Sequence, residues 1–499
     1  MSKIYVERDR RLRYLYPVNV KPEKKSGRPL LSTSQNGKIV VDRILLSLWQ
    51  MAGGHTQAEM TTAFRAPGAS TFTIAAGLAC LAEAGLLIRE GSLPESSCSP
   101  EVPFSATAST VSVVIVSHNG IQWLPACLDS VYAQSYPCVE VILVDNASTD
   151  GTADSVRTYY PKVSLIEIGQ KVSFASALNR GLAAAQGDYL LPLNQDIILD
   201  VGAVALLVHA AHAADIGGVA ACLRFLWAPA FLNGLGNQVR AYGWGTDNFI
   251  GWLDLGQLES QREVPSVCLA AALLKRSAWE QVGPLDEGFL MYYEDTEWSY
   301  RARLLGFKLA AEPRALVFHA FGGQTLTTFS ETQAAKLTGV VYGRLRFTTK
   351  LLSGWRRILR LASCALQDLA GMVGAVLQLK PHHAAAYLTG WLCWLRRPPQ
   401  PFRTNLNRQS DVFSLWKEIP HPRIWHGLPE LTWEAVCCEY LPLIIAGKTR
   451  PLPEFLELTP TDRLSISCSA LNRLALLWRG GGGNAVLRHL WRKFRWSLG

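Results

Sequence analysis

Several patterns that would place this 499-residue chain in a familiar class are absent from it. Its eleven cysteines contain no CxxC pair, which fits neither a zinc site nor a disulfide framework. No GxGxxG follows a strand and no GxxxxGK[ST] occurs, so a nucleotide held by a glycine-rich loop is not expected. The N-terminal "MSKIYVERDRRLRYLYPV" lacks an apolar core of signal-peptide length, and we expect a cytoplasmic protein.

Charge is scarce as well, at 18% of the residues against 49% apolar, which is typical of a globular protein. The net charge is nevertheless +9, and the basic excess lies in the last third of the chain. This excess favours an anionic partner for that third, either a membrane surface or nucleic acid. The basic residues concerned are Arg344, Arg346, Lys350, Arg356, Arg357, Arg360, Arg396, Arg397, Arg492, Lys493 and Arg495.

Residues 1–92 are expected to form a small first domain. The segments "VDRILLSLWQMAGG", "HTQAEMTTAF" and "STFTIAAGLACLAEAGLLIRE" have helical spacing, and the last runs into a short strand. This pattern resembles a winged-helix arrangement and also the small PqqD-like peptide-binding domains. A packing or regulatory role, peptide binding and DNA binding stay open, although the last helix has few basic residues to support DNA binding. Residues 93–110 are rich in Ser and Pro and are typical of a linker.

From residue 111 to about residue 330 the chain alternates buried strands with helices. The strands are "VSVVIVS", "VEVILVD", "VSLIEIG" and "DYLLPLNQD", and each segment between two of them contains a predicted helix. Alternation of this kind predicts a mainly parallel α/β sheet with helices on both faces. Ligands bind such sheets outside the carboxyl ends of the strands.

Polar side chains follow three of these strands at the point where each strand ends. Two interpretations of Asp196 are open: it caps a helix that begins near Asp200, or it holds a cation at the strand end. Three polar strand ends in one parallel sheet favour a ligand site. The residues are Ser117, His118 and Asn119 after the first strand, Asp145 and Asn146 after the second, and Asn194 and Asp196 after the fourth.

The ordered segments "SVVIVSHNG", "ILVDNASTDGT", "SFASALNRGLAAAQGDYLLPLNQD" and "GPLDEGFLMYYEDTEWSYRARLLGFKLAAEPRALVFHAFGG" resemble the family 2 glycosyltransferases, especially their rhamnosyltransferase-like branch. The mycofactocin-type members carry a PqqD-like domain ahead of the catalytic one. The resemblance implies a GT-A fold, a nucleotide-sugar donor, a Mg²⁺ or Mn²⁺ ion and inversion at the anomeric carbon. A QxxRW signature does not follow Asp295, which favours transfer of a single sugar over polymerisation.

The resemblance also implies roles for individual residues of the donor side. Asp145 matches the acid that contacts the base and ribose of the donor, and Asn179 and Arg180 match a polar pair that faces the nucleotide. Asn194 and Asp196 stand in the DxD position, where Asp196 is the expected metal ligand. Asn194 departs from the Asp of many relatives and brings no charge to the metal.

On the acceptor side, Asp295 matches the base of the family's "ED" pair, and Glu294 is its neighbour. Two adjacent carboxylates raise a pKa toward the range useful for proton abstraction, although both could instead cap the helix that follows. Glu297 replaces the second Asp of the common "EDxD" pattern. His319 matches a histidine that closes the metal site in relatives.

Residues 331–499 are expected to form a helical, membrane-associated region. The segment at 361–379 is close to the length of a spanning helix, but it carries Gln367 and Asp368 near its middle. The segment at 384–395 is too short to span, and tryptophans lie beside arginines throughout, which favours helices in the membrane interface over an ordinary helical subdomain.

The leading hypothesis is an inverting, metal-dependent glycosyltransferase of the cell envelope, peripheral on the cytoplasmic face of the membrane. Its acceptor would be lipid-linked, a glycan or a peptide, and nucleic acid is not expected. The alternatives are a peptide-directed transferase guided by the N-terminal domain and a non-catalytic scaffold with a degenerate domain, for which Asn194 is the only support. The donor sugar and the acceptor are not readable from the chain.

Overall fold

The computed structural model describes most of the chain between residues 14 and 452. The described ranges are 14–17, 20–25, 28–32, 38–66, 69–89, 109–137, 139–240, 243–258, 260, 262–321, 330–402, 422–425, 428–446, 448–450 and 452. The expected linker at 93–110, except its last two residues, and the basic residues at 492–495 lie outside these ranges.

Short strands and three helices make up the N-terminal part. The three helices and the final strand match the prediction, but the strands ahead of them were not predicted, because they are short and mix charged with apolar residues. Asp42 accepts a hydrogen bond from the Leu45 amide at the start of the first helix, and capping boxes begin the other two. The elements are β1 Tyr14–Leu15, β2 Pro22–Lys25, β3 Arg28–Ser32, β4 Lys38–Val41, α1 Arg43–Ala52, α2 Gln57–Ala63, α3 Thr71–Glu83 and β5 Ile88–Arg89.

The central part is the alternating α/β region that the sequence predicted. Its first four strands begin and end within two residues of the predicted segments. The elements are β6 Val111–Ser117, α4 Leu124–Tyr132, β7 Val139–Asp145, α5 Thr152–Tyr159, β8 Ser164–Glu167, α6 Phe174–Ala184, β9 Tyr189–Asn194, β10 Ile197–Leu199, α7 Ala203–Ala210, β11 Ile216–Phe225, β12 Ala228–Leu235, β13 Asn237–Val239, β14 Gly245–Asp247, β15 Arg262–Glu263, β16 Ala272–Lys275, α8 Arg276–Val282, α9 Glu294–Leu304 and β17 Lys308–His319.

One ten-stranded sheet organises this region, with the order β10-β17-β11-β16-β9-β6-β7-β8 and with β12 and β15 joined to β11 and β17. Strands β6 to β9 run parallel, whereas β16 is antiparallel to both β9 and β11. Successive residues of β6 enter different cores: Val114 packs in the cluster that contains α6, and Val113 packs in the cluster of α4 and α7. Helices therefore cover both faces, and the α/β architecture expected from the resemblance is confirmed.

The C-terminal part begins with a predominantly helical region, as predicted. Three long helices are followed by a strand pair and a short helical stretch. The elements are α10 Ser330–Leu351, α11 Gly354–Leu377, α12 Pro381–Arg396, β18 Ile424–Trp425, β19 Leu428–Leu431, α13 Trp433–Ala435, a π-helical turn Val436–Tyr440 and α14 Leu441–Ile445.

Strand β19 pairs in parallel with β4, so the chain returns to complete the N-terminal sheet in the order β18-β19-β4-β3-β2. Asp42 accepts a second hydrogen bond there from the Trp433 amide, at 2.6 Å. On its other side the same segment contacts the central region, where the Tyr440 hydroxyl accepts a hydrogen bond from the Leu253 amide. The segment 422–446 thus joins the N-terminal part to the central region. Local sequence patterns do not predict a pairing between strands so far apart in the chain.

Three basic residues that we expected to meet an anionic partner are instead paired inside the protein. Arg344 is fully buried, 2.5 Å from Asp368, and Arg346 and Lys350 both contact Asp286. The expectation was wrong for these three because their acidic partners are distant in the sequence. Their contacts attach α10 to α11 and to the loop that precedes α9.

Candidate active site

A cavity of about 860 Å³ opens at the carboxyl ends of β6 and β9 and extends to the start of α9. Its volume is in the range of sites for nucleotide-sized ligands. Seven of the predicted site residues line it, and they come from segments scattered between residues 118 and 319. These are His118, Asn146, Asn194, Asp196, Glu294, Asp295 and His319.

Asp196 and His319 face each other in this cavity. The imidazole Nε2 lies 3.3 Å from the carboxylate Oδ1, and Nδ1 is 2.7 Å from Oδ1 of Asn233. An amide oxygen accepts from Nδ1–H, which leaves the Nε2 lone pair of neutral His319 directed at a carboxylate oxygen. Two electron-pair donors at this distance are stabilised by a positive charge, either a second proton on the imidazole or a cation.

Asp196 does not cap a helix, so that interpretation is wrong. The residues after it form strand β10, and the next helix begins at Ala203 with Gly202 as its N-cap. Burial acts to raise the pKa of Asp196, but the hydrogen bond and charge of His319 in its protonated form, together with backbone groups, hold this pKa below its usual 3.8. The carboxyl is therefore ionised at neutral pH.

The two residues ahead of Asp196 have different roles. Asn194 lines the cavity at the end of β9. The Gln195 side chain accepts hydrogen bonds from the Ser117 hydroxyl at 2.8 Å and from the His118 amide at 2.9 Å. A Cβ on Gly120 would lie 2.4 Å from the same Gln195 oxygen, so a larger residue there would displace the Gln195 side chain. Gln195 therefore fixes the end of β6 to the end of β9.

The expected donor-binding residues near β6 and β7 divide into two groups. His118 and Asn146 line the cavity, and the Asn146 amide holds the Val172 backbone through hydrogen bonds of 2.9 Å and 3.0 Å. Ser117 is buried, and Asn119 accepts a hydrogen bond from the Thr149 amide at 2.8 Å, so both of them shape the loops around the cavity.

Asp145 is not among the residues that line the cavity, and 4% of its surface is exposed. Its Oδ2 accepts a hydrogen bond from the Ser148 amide, while its Oδ1 is buried without a hydrogen-bond partner among the described residues. A carboxylate oxygen left in this state is costly unless a ligand donor reaches it.

Asn179 and Arg180 are not among the residues that line the cavity. The Asn179 amide donates to the Leu285 carbonyl and to Glu287, each at 3.0 Å, and thereby ties α6 to the loop before α9. Arg180 is exposed on the same helix. Lys171, which the sequence analysis did not single out, lines the cavity next to Asn146 and adds a positive charge there.

Asp295 is held by donors on both carboxylate oxygens. Its Oδ2 accepts from the Asn237 amide at 2.9 Å, and its Oδ1 accepts from the Thr296 amide at 2.6 Å and the Thr296 hydroxyl at 3.1 Å. Burial raises the pKa of Asp295 above its ordinary 3.8, whereas these three hydrogen bonds favour the ionised form. Burial and the charge of Asp295 together raise the pKa of Glu294 to about 8.

The backbone ahead of this pair has an unusual conformation. Tyr292 and Tyr293 have φ values of 65° and 72°, a region that residues other than glycine rarely adopt. The buried Tyr293 hydroxyl compensates by donating to the Gly243 carbonyl and accepting from the Gly245 amide, both at 2.7 Å. Strained residues of this kind cluster at functional sites, where surrounding contacts hold them in place.

Glu297, the departure from the common pattern, has a structural role. It is fully buried, and its Oε1 lies 2.8 Å both from Nε of Arg301 and from Nζ of Lys350. The side chain therefore connects α9 to α10 instead of lining the cavity.

Asp247 is a cavity residue that the sequence analysis missed. It ends β14, a three-residue strand in a hairpin with β13, and burial and the charge of Asp295 raise its pKa to about 7. The only sequence signal was an acid in "GWGTDNF" between turn residues, which does not differ from an ordinary loop acid.

Comparisons with known proteins agree on one family. The family model for glycosyl transferase family 2 matches residues 112–283. The chain is 28% identical over 229 residues to an N-acetylglucosaminyl-diphospho-decaprenol L-rhamnosyltransferase of Mycobacterium tuberculosis, covering 42% of this chain and 75% of that protein. It is 24% identical over 266 residues to a PGL/p-HBAD biosynthesis glycosyltransferase of Mycobacterium bovis, covering 50% of this chain and 93% of the relative.

Among solved structures, a mannosyltransferase from Pyrobaculum calidifontis in complex with GDP-Man and Mn²⁺ matches with 17% identity and a TM-score of 0.38, covering 65% of this chain and 99% of that one. The family match covers the strands whose ends carry Ser117, Asp145 and Asp196. Residues 112–283 of the chain therefore form a glycosyl transferase family 2 domain, and the protein is a glycosyltransferase.

Proposed function

We propose that this glycosyltransferase moves one sugar from a nucleotide-sugar donor to a hydroxyl group of a lipid-linked acceptor, with inversion at the anomeric carbon, at the cytoplasmic face of the membrane. One observation carries this proposal. The Asp196–His319 pair and Asp295 line the same cavity. A single displacement needs support for the leaving diphosphate and a base for the attacking hydroxyl at one site.

A divalent cation, Mg²⁺ or Mn²⁺, fits the Asp196–His319 pair. One hard carboxylate oxygen and one imidazole nitrogen face each other, and Asn233 orients the imidazole as an outer partner does in metal sites. Among the described residues no group of three or more His, Cys, Asp or Glu side chains could hold a metal, so donor phosphates and water would complete the coordination. The ion would supply positive charge to the departing diphosphate.

The protein's own residues account for the remaining requirements. Lys171 and the strand ends at Asn146 and Asn194 form the part of the cavity that would take the donor. Asp295 is oriented by Asn237 and Thr296 and would remove the proton from the acceptor hydroxyl. General-base assistance of this kind contributes about 10²- to 10⁴-fold to the rate.

A lipid-linked acceptor is supported by an apolar wall of the cavity. Leu290 and Met291 line the cavity and expose 47% and 41% of their surface, and Leu337 and Val340 of α10 add further apolar side chains to this wall. Lys336 lies on the same wall and offers a cation to a phosphate. The M. tuberculosis relative is named for an acceptor that joins a sugar to a lipid through a diphosphate.

Membrane attachment is supported by the surface of α11, which is apolar on its outward face. Seven of its apolar side chains expose 53% to 79% of their surface: Ile358, Leu359, Leu366, Leu369, Val373, Val376 and Leu377. Its buried residues include Asp368, which is paired with Arg344. An apolar face of this size turned to water is typical of a membrane or partner contact.

We propose that this face lies on a bilayer rather than crossing one. Helix α11 is long and apolar enough to span a membrane by length and composition. However, its Asp368 pairs with a buried arginine of α10, and this contact attaches the middle of the helix to α10. Exposed basic residues at the ends of α11 and α12, among them Arg356, Lys380, Arg396 and Arg397, would meet anionic lipid.

Neither alternative is favoured by a specific observation. A peptide could add a strand only beside an outer strand of the N-terminal sheet, because β4 is paired on both sides, with β3 and with β19 of the same chain. A non-catalytic scaffold domain would require neither the cavity nor the hydrogen bonds that orient Asp295. Mn²⁺-dependent release of nucleoside diphosphate from UDP-, GDP- and dTDP-sugars tests the function, and no release with any donor would favour the scaffold.

A further inference from the structure

Asp247 occupies a position opposite a residue that contacts the proposed base. It is the direct partner of Asn237 in the antiparallel β13–β14 hairpin. Directly opposed residues of an antiparallel pair project from the same face, with Cβ atoms about 4.5–5.5 Å apart. Since the Asn237 amide donates to Asp295, this register places Asp247 on the face of the hairpin that looks toward Asp295.

The hairpin is held in place from both ends. At one end Asn237 donates a hydrogen bond to Asp295, and its amide oxygen lies 3.3 Å from the Thr296 hydroxyl. Tyr293 bonds to Gly243 and Gly245 at the other end. Because Tyr293 directly precedes the Glu294–Asp295 pair, the carboxyl of Asp247 and the carboxyl of Asp295 are positioned by one connected set of contacts.

The surroundings of Asp247 leave its carboxyl available to a ligand. No described residue forms a hydrogen bond or an ion pair with this side chain, although Asp247 lines the cavity. A Cβ on the neighbouring Gly234 would lie 3.2 Å from the Asp247 Cβ, so the missing side chain makes room for it. A half-buried carboxyl without a protein donor is costly, and a ligand hydroxyl would offset that cost.

We propose that Asp247 is an acceptor-specificity residue, which accepts a hydrogen bond from a hydroxyl next to the one that Asp295 deprotonates. The acceptor is then a sugar that presents two adjacent hydroxyl groups to the cavity. This inference rests on the proposed function, and it assigns to Asp247 a contact with the substrate without any step of bond making or breaking.

The experiment compares Asp247→Asn and Asp247→Ala with the unmodified protein and with Glu280→Gln, an exposed site on α8 outside the cavity. The probe acceptors are a short-chain N-acetylglucosaminyl-diphospho-prenol and its monodeoxy analogues. Transfer and donor hydrolysis are measured together, so that each protein gives a ratio of the two rates and a kcat/KM for each acceptor.

Transfer is measured at about pH 8, where Asp247 with its pKa of about 7 is mostly ionised, and loss of a hydrogen bond to a charged group lowers affinity about 10- to 100-fold. We expect kcat/KM for transfer, and the ratio of transfer to hydrolysis, to fall by that factor in Asp247→Ala. With one of the deoxy analogues, kcat/KM of the unmodified protein should fall by a similar factor, whereas kcat/KM of Asp247→Ala should not fall further. A purely structural role for Asp247 would not single out one hydroxyl group.

Three results would overturn this inference: transfer that does not depend on Asp247, hydrolysis and transfer that fall equally, or a deoxy penalty that persists in Asp247→Ala. Donor hydrolysis by the unmodified protein without transfer to any probe would overturn it as well, because a sugar diol is what it requires. Absence of both hydrolysis and transfer in the unmodified protein would instead contradict the proposed function.

Discussion

Asp196 and His319 meet because β10, the strand that begins directly after Asp196, pairs with β17, the strand that ends at His319. Ile197 is the antiparallel partner of His319, and the Ala320 amide donates to the Asp196 carbonyl at 3.1 Å. The 3.3 Å contact between the two side chains is therefore set by the backbone hydrogen bonds of the sheet. A rigid pair of this kind needs little reorganisation to bind a cation with the donor.

Replacing Asp196 with Asn should remove Mn²⁺-dependent binding of nucleoside diphosphate, because the amide keeps the shape of the side chain but not its charge. Loss of a residue that only hydrogen-bonds to a metal ligand lowers metal affinity about 10- to 100-fold. For loss of the ligand itself we expect the Mn²⁺-dependent affinity for nucleoside diphosphate to fall at least about 100-fold. Calorimetric titration of UDP or GDP with and without Mn²⁺ measures this. Asp154→Asn, on the exposed side of α5, is the control, and equal Mn²⁺-dependent affinity in both variants would refute the assignment.

Replacing Asp368 with Leu should destabilise the attachment of α11, because it leaves the fully buried Arg344 without its carboxylate. Breaking a buried ion pair costs about 3–5 kcal/mol, whereas replacing both partners with apolar residues is often neutral. The free energy of unfolding in urea should therefore fall in Asp368→Leu and recover in Arg344→Met/Asp368→Leu. A double variant as unstable as the single one would contradict this account.

The stability of the protein should decrease as the pH rises from about 4 to about 8. Burial and neighbouring charge raise the pKa of Glu294 from 4.5 to about 8 and that of Asp247 from 3.8 to about 7, so the folded state holds protons that the unfolded chain releases. Glu294→Gln should flatten this dependence, measured as the free energy of unfolding at several pH values. An unchanged slope in the variant would show that Glu294 does not titrate in this window.

Replacing Leu366, Leu369 and Val373 together with Ser should weaken binding to anionic vesicles by more than about tenfold, because the outward face of α11 loses apolar area. Tyr159→Ser, at an exposed apolar residue of α5, is the matched control. Flotation with vesicles of phosphatidylglycerol measures the bound fraction. The proposed membrane surface would be ruled out if the unmodified full-length protein does not bind these vesicles, or if the triple variant binds them as strongly as the unmodified protein.

The sequence predicted the parts of the fold that depend on local patterns. The buried strands of the central sheet and the polar residues at their ends, such as Asp196, follow from β-branched runs that stop at polar positions. The hairpin that carries Asp247 was missed because its strands have three residues each and no hydrophobic alternation. Local patterns could not predict the contact of Arg346 with Asp286, because the two residues are 60 positions apart in the sequence. The same holds for Asn179 and Leu285, which are 106 positions apart.

The contact between Asn237 and Asp295 permits a direct test of the base. Asp295→Asn removes the carboxylate, and the swapped variant Asn237→Asp/Asp295→Asn keeps one acid and one amide in hydrogen-bond contact but moves the charge across the cavity wall. Glu294→Gln is the neighbouring control, since Glu294 lacks the oriented donors of Asp295. Each variant is compared by its affinity for donor with Mn²⁺ and by its turnover.

The most direct measurement is kcat for sugar transfer in Asp295→Asn at unchanged donor affinity. A group that acts only as base contributes in the transition state, so kcat should fall about 10²- to 10⁴-fold while donor binding by calorimetry stays within about twofold. The swapped variant should be equally slow, although it retains the acid–amide pair. Near-normal turnover in Asp295→Asn, with turnover abolished in Glu294→Gln, would contradict the assignment of Asp295 as the base.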